Sequence, residues 1–296
     1  MDRLHKNGRH PQVALHFLRL HYWQAGALAM SLNSQPQKLD ALLWLPQNVA
    51  VHLPLVLNVA VLTPFFVKMP TTASDPLLTI THINVDKEKV SVLDYLSQRH
   101  DDIIFLQELT TLVAAQLDRL ADYRVVYAHP LENTHGSAML VRNDWRGEVL
   151  DAGIIHLPAQ AKRPLLKSKV RIADRTVTLI GFHATRPNGK HRLQGHTIEI
   201  DALADWIRGQ DDDLIVVGDF NATPWSTPIR KLDAAGLRVS MRGYGLQTGW
   251  LARLPSLLWI PIDLCLHSPA WQTDHRLMGP DLGSDRLPLH VGMALR

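Results

Sequence analysis

The stretch "GDFNATPWS", Gly218 to Ser226, decides how the rest of this sequence is interpreted. It directly follows the apolar run "DLIVV", residues 213–217, which predicts a buried strand. Asp219 and Asn221 therefore stand at the end of that strand, where α/β sheets bind their ligands. A lone carboxylate after a strand is more often a turn or cap residue, so the other strand ends have to be compared.

Three further predicted strands end in polar side chains. The runs "LLTITHINV", "DIIFLQEL" and "TVTLIGFH" place Asn84, Glu108 and His183 at or next to their ends. Glu108 follows "IIFLQ" directly, where a charge is costly unless it is paired or bound to a metal. Four strand ends of this kind can converge on a single site.

Strands and helices alternate along the second part of the chain. "AMLVR" predicts a further strand, and helical spacing of apolar residues predicts helices in "VSVLDYLSQRH", "TLVAAQLDRLADY" and "LQGHTIEIDALADWIRG". This alternation predicts an α/β or α+β domain from about residue 77 to residue 296.

Composition sets limits on the class of protein. Of 296 residues, 46% are hydrophobic and 20% are charged, which is typical of a folded chain. The single Cys265 excludes an intrachain disulfide framework and a zinc site built from several cysteines. The net charge is +3, but residues 1–70 carry six basic and two acidic residues, so the remainder is slightly acidic. Nucleic acid is therefore a possible partner that the charge of residues 71–296 does not favour.

The N-terminal part of the chain is hydrophobic. Residues 41–67 contain no Asp, Glu, Lys or Arg, and this length is sufficient to cross a bilayer, although Pro46, Pro54 and Pro64 interrupt it. Two interpretations stay open: an inner-membrane anchor with the domain outside the cytoplasm, or a hydrophobic extension of a cytoplasmic protein. The linker "MPTTASDP", Met69 to Pro76, places the domain boundary, dividing the chain into residues 1–70 and 71–296.

Seven motifs follow one another along the chain: "INVD", "FLQEL", "NTHGSAMLVR", "GFHATRP", "GDFNATPWS", "IPIDL" and "GSDRLPL". In this set and order the chain resembles the endonuclease/exonuclease/phosphatase superfamily over roughly residues 77–296. The resemblance implies a two-sheet α/β sandwich that hydrolyses phosphoesters with Mg²⁺ or Mn²⁺. Carboxylate and amide oxygens are ligands that such hard cations prefer.

The resemblance also implies a metal site. Asn84 and Glu108 correspond to the metal-site pair of the superfamily, with Glu108 as the principal ligand. Asp285 corresponds to an acidic residue near the metal, and Asp86 to a position that only some members use.

A second group of residues carries implied catalytic roles. Asp219 and Asn221 correspond to the pair that aligns the attacking water and holds the phosphate. His183 corresponds to the histidine that contacts the phosphate or assists the leaving group. Asp263 corresponds to the carboxylate that orients a final, C-terminal histidine, which in this sequence is Arg286.

The C-terminal motif departs from the superfamily pattern at two positions. The superfamily reads Ser-Asp-His where this chain has "SDR", and an arginine cannot act as a general base because its pKa exceeds about 12. It can instead clamp a phosphate through two parallel hydrogen bonds. Leu264 also replaces the aromatic residue or histidine that commonly follows Asp263. We therefore predict an Asp263–Arg286 ion pair that compensates the buried carboxylate.

Two functions follow from these residues. The favoured one is an active metal-dependent hydrolase, of phosphodiesters above other phosphoesters, that uses a metal-activated water. The alternative is a catalytically impaired pseudo-hydrolase that still binds metal and phosphate ligands, because the expected histidine is Arg286. The sequence identifies neither the substrate, which could be DNA, a lipid head group or a small phosphoester, nor the oligomeric state.

Several other polar and aromatic residues have simpler interpretations. Asn133 and His135 either form a turn or belong to the site, and Trp225 is expected to pack. His191 and His196 lie on a predicted helix and are expected at the surface. No motif supports a role for three further histidines, namely His267, His275 and His290.

Overall fold

The computed structural model of the protein describes residues 47–67, 76–87 and 91–296. The chain divides into two compact units, one formed by Met1–Pro64 with Leu254–Leu258 and the other by Phe65–Arg253 with Trp259–Arg296. The linker predicted at Met69–Pro76 lies outside the described residues except for Pro76. The domain boundary after residue 70 therefore stays a prediction.

Five helices are found in the described residues: α1 (Gln47–Phe66), α2 (Ser91–Leu96), α3 (Thr111–Ala114), α4 (Lys190–Arg208) and α5 (Thr227–Ala234). Helix α1 covers most of the hydrophobic segment predicted from the sequence, of which residues 41–46 are outside the described part. Within the described ranges, no helix has the combination of length and apolar character needed to cross a membrane.

The second unit contains two six-stranded sheets. The first sheet has the strand order β11 (Trp271–Met278), β12 (Leu289–Leu295), β1 (Leu78–Lys87), β2 (Ile103–Leu109), β4 (Ser137–Arg142) and β3 (Tyr123–His129). The second sheet has the order β5 (Glu148–Ile155), β6 (Leu165–Ile172), β7 (Arg175–His183), β8 (Asp213–Asp219), β10 (Asp263–His267) and β9 (Arg238–Val239). Pairs β1–β2 and β7–β8 are parallel, and the other pairs are antiparallel.

The two sheets pack face to face around one apolar core. Ile80 and Phe105 from the first sheet share this core with Leu179 and Val217 from the second. A second cluster lies on the other face of the first sheet, where α2 and α3 cover β1, β2 and β4. This arrangement is the two-sheet α/β sandwich that the sequence predicts.

Strand alternation explains why polar side chains collect at one end of the core. Successive side chains of a strand point to opposite faces. Ile80 of β1 and Val217 of β8 point into the core between the sheets, so residues two and four positions further on share that direction. The strands β1 and β8, which build the apolar core, thus also place His82, Asn84 and Asp219 at one end of that core.

The predicted elements are confirmed with one exception. The strands expected at Asn84, Glu108, His183 and Asp219 are β1, β2, β7 and β8, and "AMLVR" lies in β4. The segment "TLVAAQLDRLADY" is not one continuous helix: it forms the short α3, a 3₁₀ turn at Leu117–Arg119, and then the start of β3. Its last apolar residue, Tyr123, pairs with Arg142 of β4, so tertiary pairing overrides the local helical pattern.

Candidate active site

Residues from both sheets meet at one end of the sandwich. Asp219 and Asp263 are direct neighbours in the antiparallel ladder of β8 and β10, and His183 lies opposite Asp219 in the parallel ladder of β7 and β8. Gln107 of β2 joins the two sheets here, because its Nε2 donates to the carbonyl of Phe182 and its Oε1 accepts from the backbone N–H of Asp219.

Asp219 is fully buried and has four close neighbours. Asn221 donates its backbone N–H to one carboxylate oxygen and its side-chain amide to the other, both at 2.9 Å. Nε2 of His183 lies 3.4 Å from Asp219 Oδ2. Burial, and secondarily the charge of Asp263, raises the pKa of Asp219 to about 7, although Arg286 opposes this shift. The carboxyl group is therefore poised to take up and release a proton near neutral pH.

His183 lies beside Asp219 with 13% of its side chain exposed. Burial, followed by the charges of Arg163 and Arg286, lowers the pKa of His183 well below its usual value. The imidazole is therefore neutral at physiological pH. One of its nitrogens donates a hydrogen bond and the other accepts one.

Arg286 bridges the two buried aspartates. Its Nη2 lies 2.5 Å from Asp219 Oδ2, and its Nη1 lies 3.1 Å from Asp263 Oδ2. The predicted Asp263–Arg286 ion pair is thereby confirmed. Burial acts against both charges. The attraction of Arg286, with a contribution from His82, nevertheless lowers the pKa of Asp263, and the carboxylates raise the pKa of Arg286.

Glu108 and Asn84 form a pair on the first sheet. Asn84 Nδ2 donates to Glu108 Oε1 at 2.8 Å, and Asn84 Oδ1 accepts the backbone N–H of Asp86. Glu108 has a φ of 60°, in the left-handed region that non-glycine residues seldom occupy. This conformation interrupts the alternation of β2 directly after Gln107. Burial, then the charges of Asp285 and Asp86, raises the pKa of Glu108 against the hydrogen bond from Asn84.

These residues fit a hard divalent cation that keeps part of its water shell. In the described residues, no group of three or more His, Cys, Asp or Glu side chains forms a closed metal cluster. Mg²⁺ typically needs only one or two carboxylates in addition to waters and substrate oxygens. Glu108 supplies a carboxylate whose pKa is raised chiefly by burial, and the nearby Asn84 and Asp285 contribute further oxygen atoms.

Asp285 lies at the exposed margin of the site. Its Oδ2 accepts the indole N–H of Trp250 at 3.2 Å, and its Oδ1 lies 3.8 Å from Arg286 Nε. The guanidinium of Arg186 stacks 5.3 Å above the Trp250 ring and lies 3.8 Å from Asp285. Trp250 and Arg186 were not expected from the sequence, because neither stands at a predicted strand end.

Asp86 lies two residues after Asn84 and pairs with an arginine. Its carboxylate accepts a hydrogen bond from Arg253 at 2.7 Å, while its backbone caps Asn84. Its charge nevertheless acts on Glu108. Asp86 therefore lies beside the site, and its carboxylate is paired with Arg253.

A cation near His183, Arg163, was also missed in the sequence. Arg163, in the loop before β6, is close enough to Asp219 and Glu108 for their charges to act on it, although burial lowers its pKa. It lies 3.8 Å from Glu199, which is itself anchored by Thr185. A lone arginine in a loop carries no motif, so only the fold reveals its position.

The predicted turn at Asn133 and His135 is present, since Asn133 Oδ1 accepts the backbone N–H of His135. The turn also brings His135 toward the site. Burial and the charge of Arg163 lower the pKa of His135 to about 4, and His135 in turn acts on His183. Asn133 and His135 therefore form a turn, and His135 also lies close enough to His183 for its charge to act on the site.

One expectation for the remaining histidines is wrong. His191 is exposed as predicted, but His196 is buried, and its Nε2 contacts the carbonyl of Phe220 at 2.9 Å. The helix turns this residue toward the loop that follows Asp219. His290 is fully buried between Thr81 and Tyr95, on the opposite face of the first sheet from the site.

The other predictions concern packing. His267 is buried and bonds the carbonyl of Ser268, and His275 pairs with the adjacent Asp274. Trp225 packs its ring edge-on against Phe65 at 6.1 Å, as expected of a packing residue.

The fold and the site together define a class of protein: a two-sheet α/β sandwich with an oxygen-rich acidic site at its strand ends. The sequence model of the Endonuclease/Exonuclease/phosphatase family matches residues 82–286. The chain belongs to this family. A comparison with curated proteins gave no match.

Solved structures with the same fold include the three proteins that follow. Humanized TDP2 of D. rerio is 20% identical, with a TM-score of 0.60 over 73% of this chain and 98% of its own. The 3′ phosphatase NExo from Neisseria, bound to a product DNA hairpin, is 19% identical, with a TM-score of 0.58 over 73% and 99%. The mannosyl-6-phosphatase Bt3783 of Bacteroides thetaiotaomicron is 16% identical, with a TM-score of 0.54 over 74% and 100%.

Proposed function

We propose that the protein hydrolyses phosphoesters, phosphodiesters above all, with a divalent cation and a water nucleophile. One observation carries this proposal: Asp219, held by Asn221 and next to His183, lies at the same end of the sandwich as the Glu108–Asn84 pair. Family membership supports the general class, since the neighbours with a named activity include two phosphatases.

Glu108, Asn84 and Asp285 would hold the cation, for which we propose Mg²⁺ or Mn²⁺. When bound, such an ion supplies Lewis-acid stabilisation of the charge that develops on the phosphoryl oxygens. The bond from Asn84 to Glu108 orients the carboxylate, and Asp285 retains 21% exposure, so it stays accessible from the mouth of the site.

Asp219 orients the attacking water and accepts its proton. The two hydrogen bonds from Asn221 fix the plane of the carboxylate, and its raised pKa suits proton transfer near neutral pH. The water oxygen bonds to phosphorus as the bond to the leaving oxygen breaks, and solvent returns a proton to the leaving alkoxide. Neutral His183 binds a phosphoryl oxygen or the leaving oxygen as a hydrogen-bond donor.

Arg286 stabilises the phosphate as a fixed positive charge. Its Nε is buried and has no hydrogen-bond partner among the described residues. Phosphate oxygens attract a guanidinium strongly, so substrate binding competes with Asp219 for Nη2. Release of Asp219 from Arg286 would free the carboxylate to hold water.

The substrate class is proposed from the neighbours and from local charge. Two of the solved structures contain product DNA, single-stranded in one and a hairpin in the other. The exposed segment after His183 carries Arg186, Lys190 and Arg192, although the body of the chain is slightly acidic. We therefore propose a nucleic-acid phosphodiester as the first substrate to test, followed by phospholipids, small phosphodiesters and phosphomonoesters.

A catalytically impaired, ligand-binding protein is the second candidate. It is favoured by one specific observation, namely that Arg286 occupies the histidine position and contacts Asp219 at 2.5 Å. Arg286→His separates the two functions. An active enzyme is expected to keep its turnover within about 100-fold of the unaltered chain, since general acid–base assistance contributes about 10²–10⁴-fold. Turnover that exists only in Arg286→His supports the binding protein.

Location is proposed separately from activity. An inner-membrane attachment with the domain outside the cytoplasm, and a cytoplasmic protein, are both compatible with the hydrophobic N-terminal sequence. Fractionation of the full chain, followed by protease accessibility of the domain, distinguishes them.

A further inference from the structure

His82 is a buried histidine at the site that no motif marks. It lies on β1 two residues before Asn84 and shares its inward direction. Its side chain is 1% exposed, and its Nε2 lies 3.3 Å from Oδ1 of Asp263. Because a carboxylate only accepts hydrogen bonds, the imidazole donates Nε2–H to Asp263.

Asp263 has lost the partner that the family resemblance leads one to expect. The C-terminal histidine is replaced by Arg286, whose Nη1 reaches both oxygens of Asp263 at 3.1 and 3.3 Å. A single nitrogen shared by both oxygens holds the carboxylate less firmly than the two parallel hydrogen bonds of a bidentate pair. The bond from His82 to Oδ1 is a second, independent attachment, and it comes from the opposite sheet.

The other ring nitrogen of His82 indicates that packing alone does not explain the residue. Nδ1 is buried and has no hydrogen-bond partner among the described residues. A buried polar atom without a hydrogen bond destabilises the folded state, and an apolar side chain in this position would avoid that cost. The contact of Nε2 with Asp263 is the interaction that compensates for the unpaired Nδ1.

We infer that His82 is a positioning residue, which replaces the missing C-terminal imidazole as the partner of Asp263 and thereby fixes the guanidinium of Arg286 against Asp219. The inference rests on the proposed function for its effect on catalysis. Its structural part stands independently of turnover. The chain of contacts runs from His82 through Asp263 to Arg286, and no contact of His82 with substrate is required.

Three variants of the full chain test this inference. His82→Leu removes the donor at similar volume, and His82→Gln keeps an N–H near the position of Nε2. His290→Leu is the matched control, because it removes a buried histidine on the other face of the same sheet. If His82→Leu is insoluble, His82→Met replaces it.

The first readout is the rate of rotation about the Nε–Cζ bond of Arg286, measured by ¹⁵N-detected NMR. We expect faster rotation in His82→Leu, and a rate within about twofold of the unaltered chain in His82→Gln and His290→Leu. An unchanged rate in His82→Leu overturns the inference, whether or not the protein has activity.

The second readout is steady-state turnover. We expect kcat to fall about 10–100-fold in His82→Leu with KM changed less than about threefold, because a misplacement of 1 Å can cost about 100-fold. His82→Gln should restore most of kcat. Equal losses in His82→Leu and His290→Leu overturn the catalytic part of the inference. Absence of turnover in the unaltered chain contradicts the proposed function instead, and the NMR result still decides the role of His82.

Discussion

Arg286 determines the electrostatics of this site. A histidine at this position would carry at most one charge that depends on pH, whereas a buried guanidinium is always charged. It needs both Asp219 and Asp263 to compensate its burial, and these aspartates need it for the same reason. The three residues therefore form a unit. Removal of one member leaves the remaining charges buried without compensation.

Replacement of Arg286 by an apolar residue is expected to be strongly destabilising. Arg286→Met leaves two buried carboxylates without their cation, and loss of one partner of such a group costs about 3–5 kcal/mol. Urea unfolding at pH 7 measures this loss. Arg253→Met, which removes an exposed ion pair with Asp86, is the control and should change stability by less than about 1 kcal/mol.

The raised pKa of Asp219 leads us to expect that the stability of the metal-free protein depends on pH. Its pKa is about 7 in the folded state and about 3.9 in an unfolded chain, so the folded state holds a proton that the unfolded state releases. This contribution to stability is complete below about pH 4 and is lost as pH rises through about 7. Asp219→Asn removes it. The free energy of unfolding of the unaltered chain should therefore fall relative to that of the variant between pH 5 and pH 8 in EDTA, and a constant difference contradicts this shift.

The residues at strand ends could be predicted from the sequence, whereas their supporting residues could not. Asp219, Glu108 and His183 each end an apolar run, and that signal is local. Arg163 and His82 act through neighbours that are distant along the chain. The position of His82, on the same strand face as Asn84, was the one available signal.

At the scale of elements, β8 is the strand that fixes the site. Gly218 precedes Asp219 with a φ of 147°, and a Cβ at this position would lie 2.0 Å from the carbonyl oxygen of Phe182. That carbonyl also accepts the bond from Gln107 that joins the two sheets. Because Gly218 has no Cβ, β7 and β8 can lie close to the side chain of Gln107, which joins the two sheets.

Gly218→Ala is expected to displace this bridge. Because the contact is with backbone, the strands must separate, which should destabilise the protein by several kcal/mol, above the 1–3 kcal/mol typical of overpacking. Gly153→Ala is the control, since a Cβ there meets nothing within 4 Å. Thermal unfolding compares the two variants, and similar midpoints would show that β7 and β8 tolerate the separation.

The sequence predicted the central strands better than the outer ones. Strands β2 and β8 are continuous apolar runs because both of their faces are covered. Strand β5 has no fully buried residue and lies at a sheet edge, so its apolar pattern is weak and it was not predicted. The expected helix after β2 is short because Tyr123 belongs to a strand, and local spacing contains no information about that pairing.

At the scale of the whole molecule, overall charge gave little guidance. The chain as a whole is basic only through its N-terminal residues, yet Arg163, Arg186 and Arg286 gather at the site. Charge that is concentrated around one cleft determines ligand binding more than the net value does. The fold class and family were therefore predictable from ordered motifs, and the balance of charge at the site was not.

Metal-dependent turnover of the full chain tests the central claim most directly. Hydrolysis of phosphodiesters, DNA included, should be measured with Mg²⁺, with Mn²⁺ and with EDTA, for the unaltered protein, Asp219→Ala and Asp213→Ala. Asp213 begins the strand that Asp219 ends and pairs with Arg175, so it is the matched control. We predict turnover that EDTA abolishes, that Asp219→Ala lowers at least about 100-fold, and that Asp213→Ala leaves within about twofold. Absence of metal-dependent turnover in the folded, unaltered chain, or its full retention in Asp219→Ala, would contradict the account.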